Sequence, residues 1–232
     1  MSRRLRAAAA TALLACGAAT AAPPPEIDTL AQRLQACTAC HGKQGRATSE
    51  GYFPRIAGKP AGYLFNQLIN FRDGRRANRA MRGLVDPLSE DYLREIAAYF
   101  GALELPYPAP QPAVVAPDRL ERGAELVRHG DARQGIPACQ ACHGERMTGV
   151  QPAFPGLLGL PRDYLIAQLG SWRTGLRRAA APDCMAEVAR RLRPQDVSAL
   201  ANWLAAQAPP ADARPAAAPK LPLPLDCGSG LR

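Results

Sequence analysis

Apolar positions recur at helical spacing along the chain, and the same stripe is written twice. Leu93, Ile96, Ala97 and Phe100 stand at i, i+3, i+4 and i+7, and Val197, Leu200, Ala201 and Leu204 repeat them. Ser89 precedes the first stripe as an N-cap, with Leu88 and Leu93 placed as a hydrophobic staple. Pro194 sits at the first helical position of the second. Leu30 and Leu34 lead into Cys37 at helical spacing, and Leu120, Ala124 and Val127 do so ahead of Cys139. No run alternates as a strand does. The pattern predicts an all-α protein with a leading, a central and a closing helix in each of two domains. Taken alone, these stripes read as plain core.

Comparing the chain with itself sharpens this into a duplication. Cys37-Thr-Ala-Cys40-His41-Gly42 returns 102 residues later as Cys139-Gln-Ala-Cys142-His143-Gly144. Phe53-Pro54 returns as Phe154-Pro155, and Tyr63-Leu-x-x-Gln67-Leu68 as Tyr164-Leu-x-x-Gln168-Leu169, both 101 residues on. Phe71-Arg72-x-Gly74-x-Arg76 matches Trp172-Arg173-x-Gly175-x-Arg177. The repeat places a first domain at 23–106 and a second at 117–208. Between them, 107–116 is rich in proline, which removes backbone donors and favours an extended linker. A second Pro-rich segment, 209–232, lacks periodic apolar positions and reads as a tail wrapping the surface.

Residues 1–22 have a basic start at Arg3, Arg4 and Arg6, an apolar Ala and Leu stretch, and a small-residue end before Pro23. That is a secretory leader, too short to span a bilayer. The sequence Leu13-Leu-Ala-Cys16 leaves open a lipoprotein alternative, in which a lipidated Cys16 would hold the chain at a membrane surface. The formal charge of +9 falls to +6 when the three leader arginines go. A basic excess can mean nucleic acid, but an exported chain rarely meets it. The arginines read as solvated surface and as partners of acidic groups.

The chemistry lies in the repeated motif. In Cys-x-x-Cys-His two thiols can reach both vinyl groups of one haem while the adjacent histidine reaches its iron. The motif predicts two covalently bound haem c groups, with thioethers at Cys37 and Cys40 and at Cys139 and Cys142, and His41 and His143 as proximal ligands. A zinc site would need a fourth ligand that neither copy has, and a thioredoxin-type pair would need a strand-helix-strand setting. Met81 follows His41 by 40 residues and Met185 follows His143 by 42, at equivalent places in the repeat. Both are candidate sixth ligands, presented by the loops ahead of the closing helices. Met147 lies too close to His143 to reach the opposite haem face. Carbonyls around Pro54 and Pro155 are candidates to accept the second ring N–H of each histidine, and Arg72, Arg76, Arg173 and Arg177 are candidate propionate partners. His129 has no counterpart and reads as surface. Of seven cysteines, Cys16 falls in the leader and four are taken by thioethers, leaving Cys184 and Cys227. In an oxidising compartment these two would form a disulfide; the alternative is two unpaired thiols.

On Cys37 to Gly42, Ile56-Ala-Gly-Lys with Tyr63 and Gln67, Met81 before Leu88-Ser89, and Ile136 to Gly144, the chain resembles the two-haem cytochrome c4 family, built from tandem class I cytochrome c domains. The resemblance implies an electron carrier of the periplasm rather than an enzyme, delivering to a haem-copper terminal oxidase, with His41, Met81, His143 and Met185 as axial ligands. The Glu145-to-Val150 segment, Cys184 beside Met185 and the Pro-rich tail depart from the family pattern. Two other readings remain: a cytochrome subunit fixed to a periplasmic dehydrogenase, and a two-haem peroxidase, against which the matched methionines argue.

Overall fold

The computed structural model describes residues 28–48, 52–218 and 222–230. The leader and Cys16 lie outside the described residues. The chain divides into a short unit ending at Arg33 and a larger one from Leu34 onward. The short unit ends in helix α1 (Leu30–Arg33). Thr29 Oγ1 accepts from the Gln32 N–H at 3.3 Å and Gln32 Oε1 accepts from the Thr29 N–H at 3.0 Å, a reciprocal cap that satisfies two free donors. The larger unit holds both copies of the repeat.

Its first half runs through α2 (Gln35–His41), α3 (Ala61–Arg72), α4 (Arg79–Val85) and α5 (Glu90–Gly101). α5 buries Leu93, Ile96, Ala97 and Phe100 along one stripe, and Ser89 Oγ caps it by accepting from the Tyr92 N–H at 3.3 Å. The second half comprises α6 (Pro117–Arg128), α7 (Gln140–His143), α8 (Arg162–Arg173), α9 (Cys184–Arg191) and α10 (Pro194–Ala206). Leu126, Val127, Ile136, Leu158, Leu165 and Leu204 belong to one buried cluster there. Each such side chain contributes about 2 kcal/mol of transfer free energy on burial. α6 lies so close to α10 that a Cβ on Gly123 would fall 2.4 Å from the Ala199 carbonyl oxygen, so only glycine fits.

α4 and α9 replace the loops expected around the methionines. Asn78 and Asp183 cap them, their side chains accepting from the Met81 and Ala186 N–H groups at 3.0 Å each. Polar N-caps three residues ahead of an amide are a sequence signal, but helices of seven and eight residues leave almost no periodicity to read. Among the described residues the one sheet is a two-residue antiparallel pair, β1 (Gly149–Val150) and β2 (Phe154–Pro155). Two-residue strands are too short to show alternation.

The Pro-rich segments are pinned by hydrogen bonds. In the linker the Gln111 N–H donates to Ala205 O at 2.8 Å, and the Val114 N–H to Asn202 Oδ1 at 3.0 Å. The tail adds Ala216 beside β1, its N–H donating to Gly149 O at 2.8 Å. Further along it is bonded through Cys227 to Cys184, with Cα atoms 5.1 Å apart.

Candidate functional site

Each Cys-x-x-Cys-His motif closes a helix, with His41 the last residue of α2 and His143 the last of α7. Both histidines are buried. Gly42 follows His41 with φ of 74°, and a Cβ there would stand 2.2 Å from Ala47 O, so the chain can turn away only through glycine. His41 Nδ1 lies 2.8 Å from Pro54 O, and His143 Nδ1 lies 2.8 Å from Pro155 O. A carbonyl can only accept, so Nδ1 carries the proton and Nε2 keeps its lone pair. Burial lowers the basicity of both rings; the carbonyl bonds oppose this, and the nearby charges of Arg76 for His41 and Lys59 for His143 add to it. Each imidazole is therefore held neutral, with one free nitrogen aimed by its partner, as a metal ligand requires.

Cys37, Cys40, Cys139 and Cys142 are half-buried and outside any disulfide, and Cys139 Sγ donates to Leu126 O at 3.5 Å. Burial pushes the Cys139 thiol up to about 12 and raises Cys37 and Cys142. Among the described residues no cluster of three His, Cys, Asp or Glu side chains forms a site for another metal. Met81 is the third residue of α4 and Met185 the second of α9, both partly exposed. Met147 is 2 % exposed and sits in the second-half core.

The arginines separate into two groups. Arg72 pairs with Asp73 and Glu90 at 3.2 and 3.1 Å, and Arg173 donates to the Leu192 carbonyl; these two are engaged away from the interface. Arg76 and Arg177 meet where the halves join, each buried. Arg76 donates to Gln67 Oε1, Tyr164 Oη and Gln168 Oε1 at 3.0, 2.9 and 2.8 Å. Arg177 donates to Gln168 Oε1, Gln67 Oε1 and Tyr63 Oη at 2.8, 3.0 and 3.3 Å. The Ala77 N–H reaches Leu176 O and the Arg178 N–H reaches Arg75 O, both at 2.7 Å, so the two Arg-x-Gly-x-Arg segments pair as a short antiparallel bridge. The guanidiniums also lie over aromatic rings of their own halves, Arg76 on Phe71 at 4.6 Å and Arg177 on Trp172 at 3.7 Å. Two buried cations share this junction with neutral acceptors only. The buried Trp172 indole N–H has no acceptor. A junction short of anions and acceptors fits a group bearing carboxylates, as haem does.

Arg55 and Lys59, the second within the Ile56-Ala-Gly-Lys resemblance motif, carry no role in the sequence reading, and both are buried. Arg55 donates to Ala57 O, Leu105 O and Pro106 O at 3.1, 2.6 and 2.8 Å and stacks on Tyr107 at 4.0 Å, fastening the start of the linker. Lys59 crosses to the second half. Their signal was available as residues that break the repeat, since 101 positions on stand Gly156 and Leu160.

Two copies of a covalent-attachment motif, each with an oriented histidine and both in one helical unit, define a two-haem c-type cytochrome. No family model matches the chain. It is 39% identical over 209 residues to a thiosulfate dehydrogenase electron acceptor from Thiomonas intermedia, covering 89% of this chain and 92% of that protein. It is 34% identical over 170 residues to cytochrome c4 from Pseudomonas aeruginosa, covering 72% and 82%. Among solved structures, reduced cytochrome c4 from Pseudomonas stutzeri superposes with a TM-score of 0.64 at 31% identity, over 76% of this chain and 95% of that one. A thiosulfate dehydrogenase, TsdBA, from Marichromatium purpuratum superposes at 0.65 and 34% identity, over 73% of this chain and 36% of that longer one. The chain belongs to the cytochrome c4 family. It is an electron carrier with two covalently bound haems.

Proposed function

We propose that the chain is an exported periplasmic relay. It takes electrons singly from a dehydrogenase that oxidises thiosulfate or a related sulfur substrate, moves them between its two haems and passes them to an acceptor such as a haem-copper oxidase. The observation that carries this reading is the pair of oriented histidines, His41 and His143, on either side of one buried junction, so that both redox centres belong to one body. The choice of donor rests on the likeness to the Thiomonas intermedia protein.

Each haem would supply an iron that changes by one electron without bond making or breaking. The residues of the chain do the rest. Cys37, Cys40, Cys139 and Cys142 would anchor the groups covalently. His41 and His143 would coordinate through Nε2, their rings fixed by the Pro54 and Pro155 carbonyls. Met81 and Met185 would offer soft thioether sulfur, which favours reduced iron. Arg76 and Arg177 would pair with propionates at the junction.

Thiosulfate and a purified thiosulfate dehydrogenase should reduce both haems within one encounter series, at a rate that rises with carrier concentration and saturates. No reduction, with both haems present, would sink the choice of donor. Co-purification in fixed ratio with the dehydrogenase would favour a permanent subunit over a diffusing carrier.

A further inference from the structure

The repeat loses its symmetry where the two halves touch. With the offset that aligns Pro54 with Pro155, Lys59 corresponds to Leu160 and Arg55 to Gly156. The second half has no room for such cations. Leu160 belongs to its apolar core, and a Cβ on Gly156 would lie 2.4 Å from Thr148 O. Arg55 is used within the first half and on the linker, as described above. Lys59 has a different destination. It is 3 % exposed, and its Nζ donates to Gly156 O of the second half at 2.5 Å. Gly156 immediately follows Pro155, whose carbonyl holds the His143 ring. Among the described residues the ammonium forms no ion pair and has this one acceptor.

Burying an ammonium without a counter-charge costs several kcal/mol, and the cost shows in the side chain's own acidity. Burial, with the Arg55 charge adding to it, brings the Lys59 ammonium down to about 7. The second half offers His41 no counterpart of Lys59, because the matching positions are leucine and glycine.

We propose that Lys59 is a positioning residue for charge at the second haem, a cation that the first half inserts behind His143 and that favours the reduced second iron over the oxidised one. This rests on the two-haem reading. In the internal step the first iron goes from ferrous to ferric as the second goes from ferric to ferrous, and no proton or bond changes hands. Lys59 tilts that exchange toward the second half, and only while the halves stay docked.

The test is a redox titration of the holoprotein at pH 6, below the value of about 7 at which the Lys59 ammonium gives up its proton, with the two haems resolved by their separate NMR or EPR signals, run on wild type, Lys59→Met, Lys59→Gln and Lys59→Arg. A unit charge about 10 Å away in a medium of effective dielectric about 20 changes an equilibrium by roughly tenfold. Lys59→Met should therefore shift the electron distribution about tenfold toward the first haem, mainly through the second haem's own affinity. Lys59→Gln, which keeps a donor for Gly156 O, should behave like Lys59→Met, and Lys59→Arg like wild type. Equal shifts at both haems, or none, would overturn the proposal. So would wild-type behaviour of Lys59→Gln, since the hydrogen bond and not the charge would then matter. If Lys59→Met fails to mature, the Gln and Arg pair decides alone. A haemochrome assay reading fewer than two haems in the wild type would count against the two-haem reading, not against Lys59.

Discussion

In the second half a 12-residue leading helix, α6, lies against the closing helix α10 at Gly123, whereas the stretch leading to Cys37 holds the four-residue α1 and enters the motif within the seven-residue α2. The second half is also wrapped by the linker and the tail and tied by Cys184–Cys227. Among the described residues the first half has no disulfide, meets the tail through Asn66, which donates to Ser229 O at 2.9 Å, and carries buried cations, Arg55 and Lys59, where its twin has a glycine and a leucine. Yet the histidine-to-proline geometry is the same to within a tenth of an ångström. Duplication preserved the Cys-x-x-Cys-His motif and the carbonyl that orients its histidine, and let the supports diverge. Support is the cheaper thing to change, because many arrangements can hold a ring in place while few can present its free nitrogen.

The largest effect should come from the shared part. Replacing Met81 or Met185 with Ala should each remove about half of the weak red sulfur-to-iron band of the ferric protein, and both together all of it. A band that survives the double replacement would mean another ligand set. The disulfide separates the halves instead. Cys184→Ser with Cys227→Ser opens a loop with a sequence separation of 43, which the chain-entropy model values at about 4 kcal/mol. Calorimetry should show the loss at the transition of the second half, and an unchanged second-half transition would show the strap to be ornamental.

The junction should treat the halves alike. Arg76→Met removes the donor from Tyr164 Oη and Arg177→Met the donor from Tyr63 Oη, and each takes one of the two donors shared by Gln67 Oε1 and Gln168 Oε1, at roughly 2 kcal/mol apiece. They should also slow the concentration-independent electron exchange between the haems after pulse oxidation. Very unequal losses would mean that only one arginine holds the interface together. The smallest effect is acid lability.

Asp196 is buried; burial pushes its carboxyl up, but hydrogen bonds from Arg193 and Arg122, at 2.9 Å each, outweigh this and hold it below its usual range. Asp131, bonded by Gln134 and Arg122, is held at about 2. Both folded values lie below the unfolded ones, near 3.9. Their stabilisation is thus full above about pH 4 and fades as pH falls toward 2. The network lies wholly in the second half, so that half should lose stability first on acidification, and Asp196→Asn should flatten its acid limb.

The repeated motif and the carbonyls that orient its histidines were legible because the motif is local, written in five consecutive residues, and the prolines recur at the same offset. Helical stripes of twelve residues or more were legible for the same reason, since period and length suffice. The methionine helices escaped because seven residues carry caps but little period. The arginines could not be sorted by sequence. Arg72, Arg76, Arg173 and Arg177 hold matching repeat positions, yet only Arg76 and Arg177 are carried into the junction, and solvation there depends on which surfaces meet. Lys59 illustrates the boundary most plainly. Within its own half it reads as an ordinary surface cation after a glycine, and only the docking of the other half removes water from it and gives it the Gly156 carbonyl as partner. Residue identity along the chain set what each site can bind, whereas burial and neighbouring charge, which set how strongly it holds an electron, arise only when distant segments exclude solvent together.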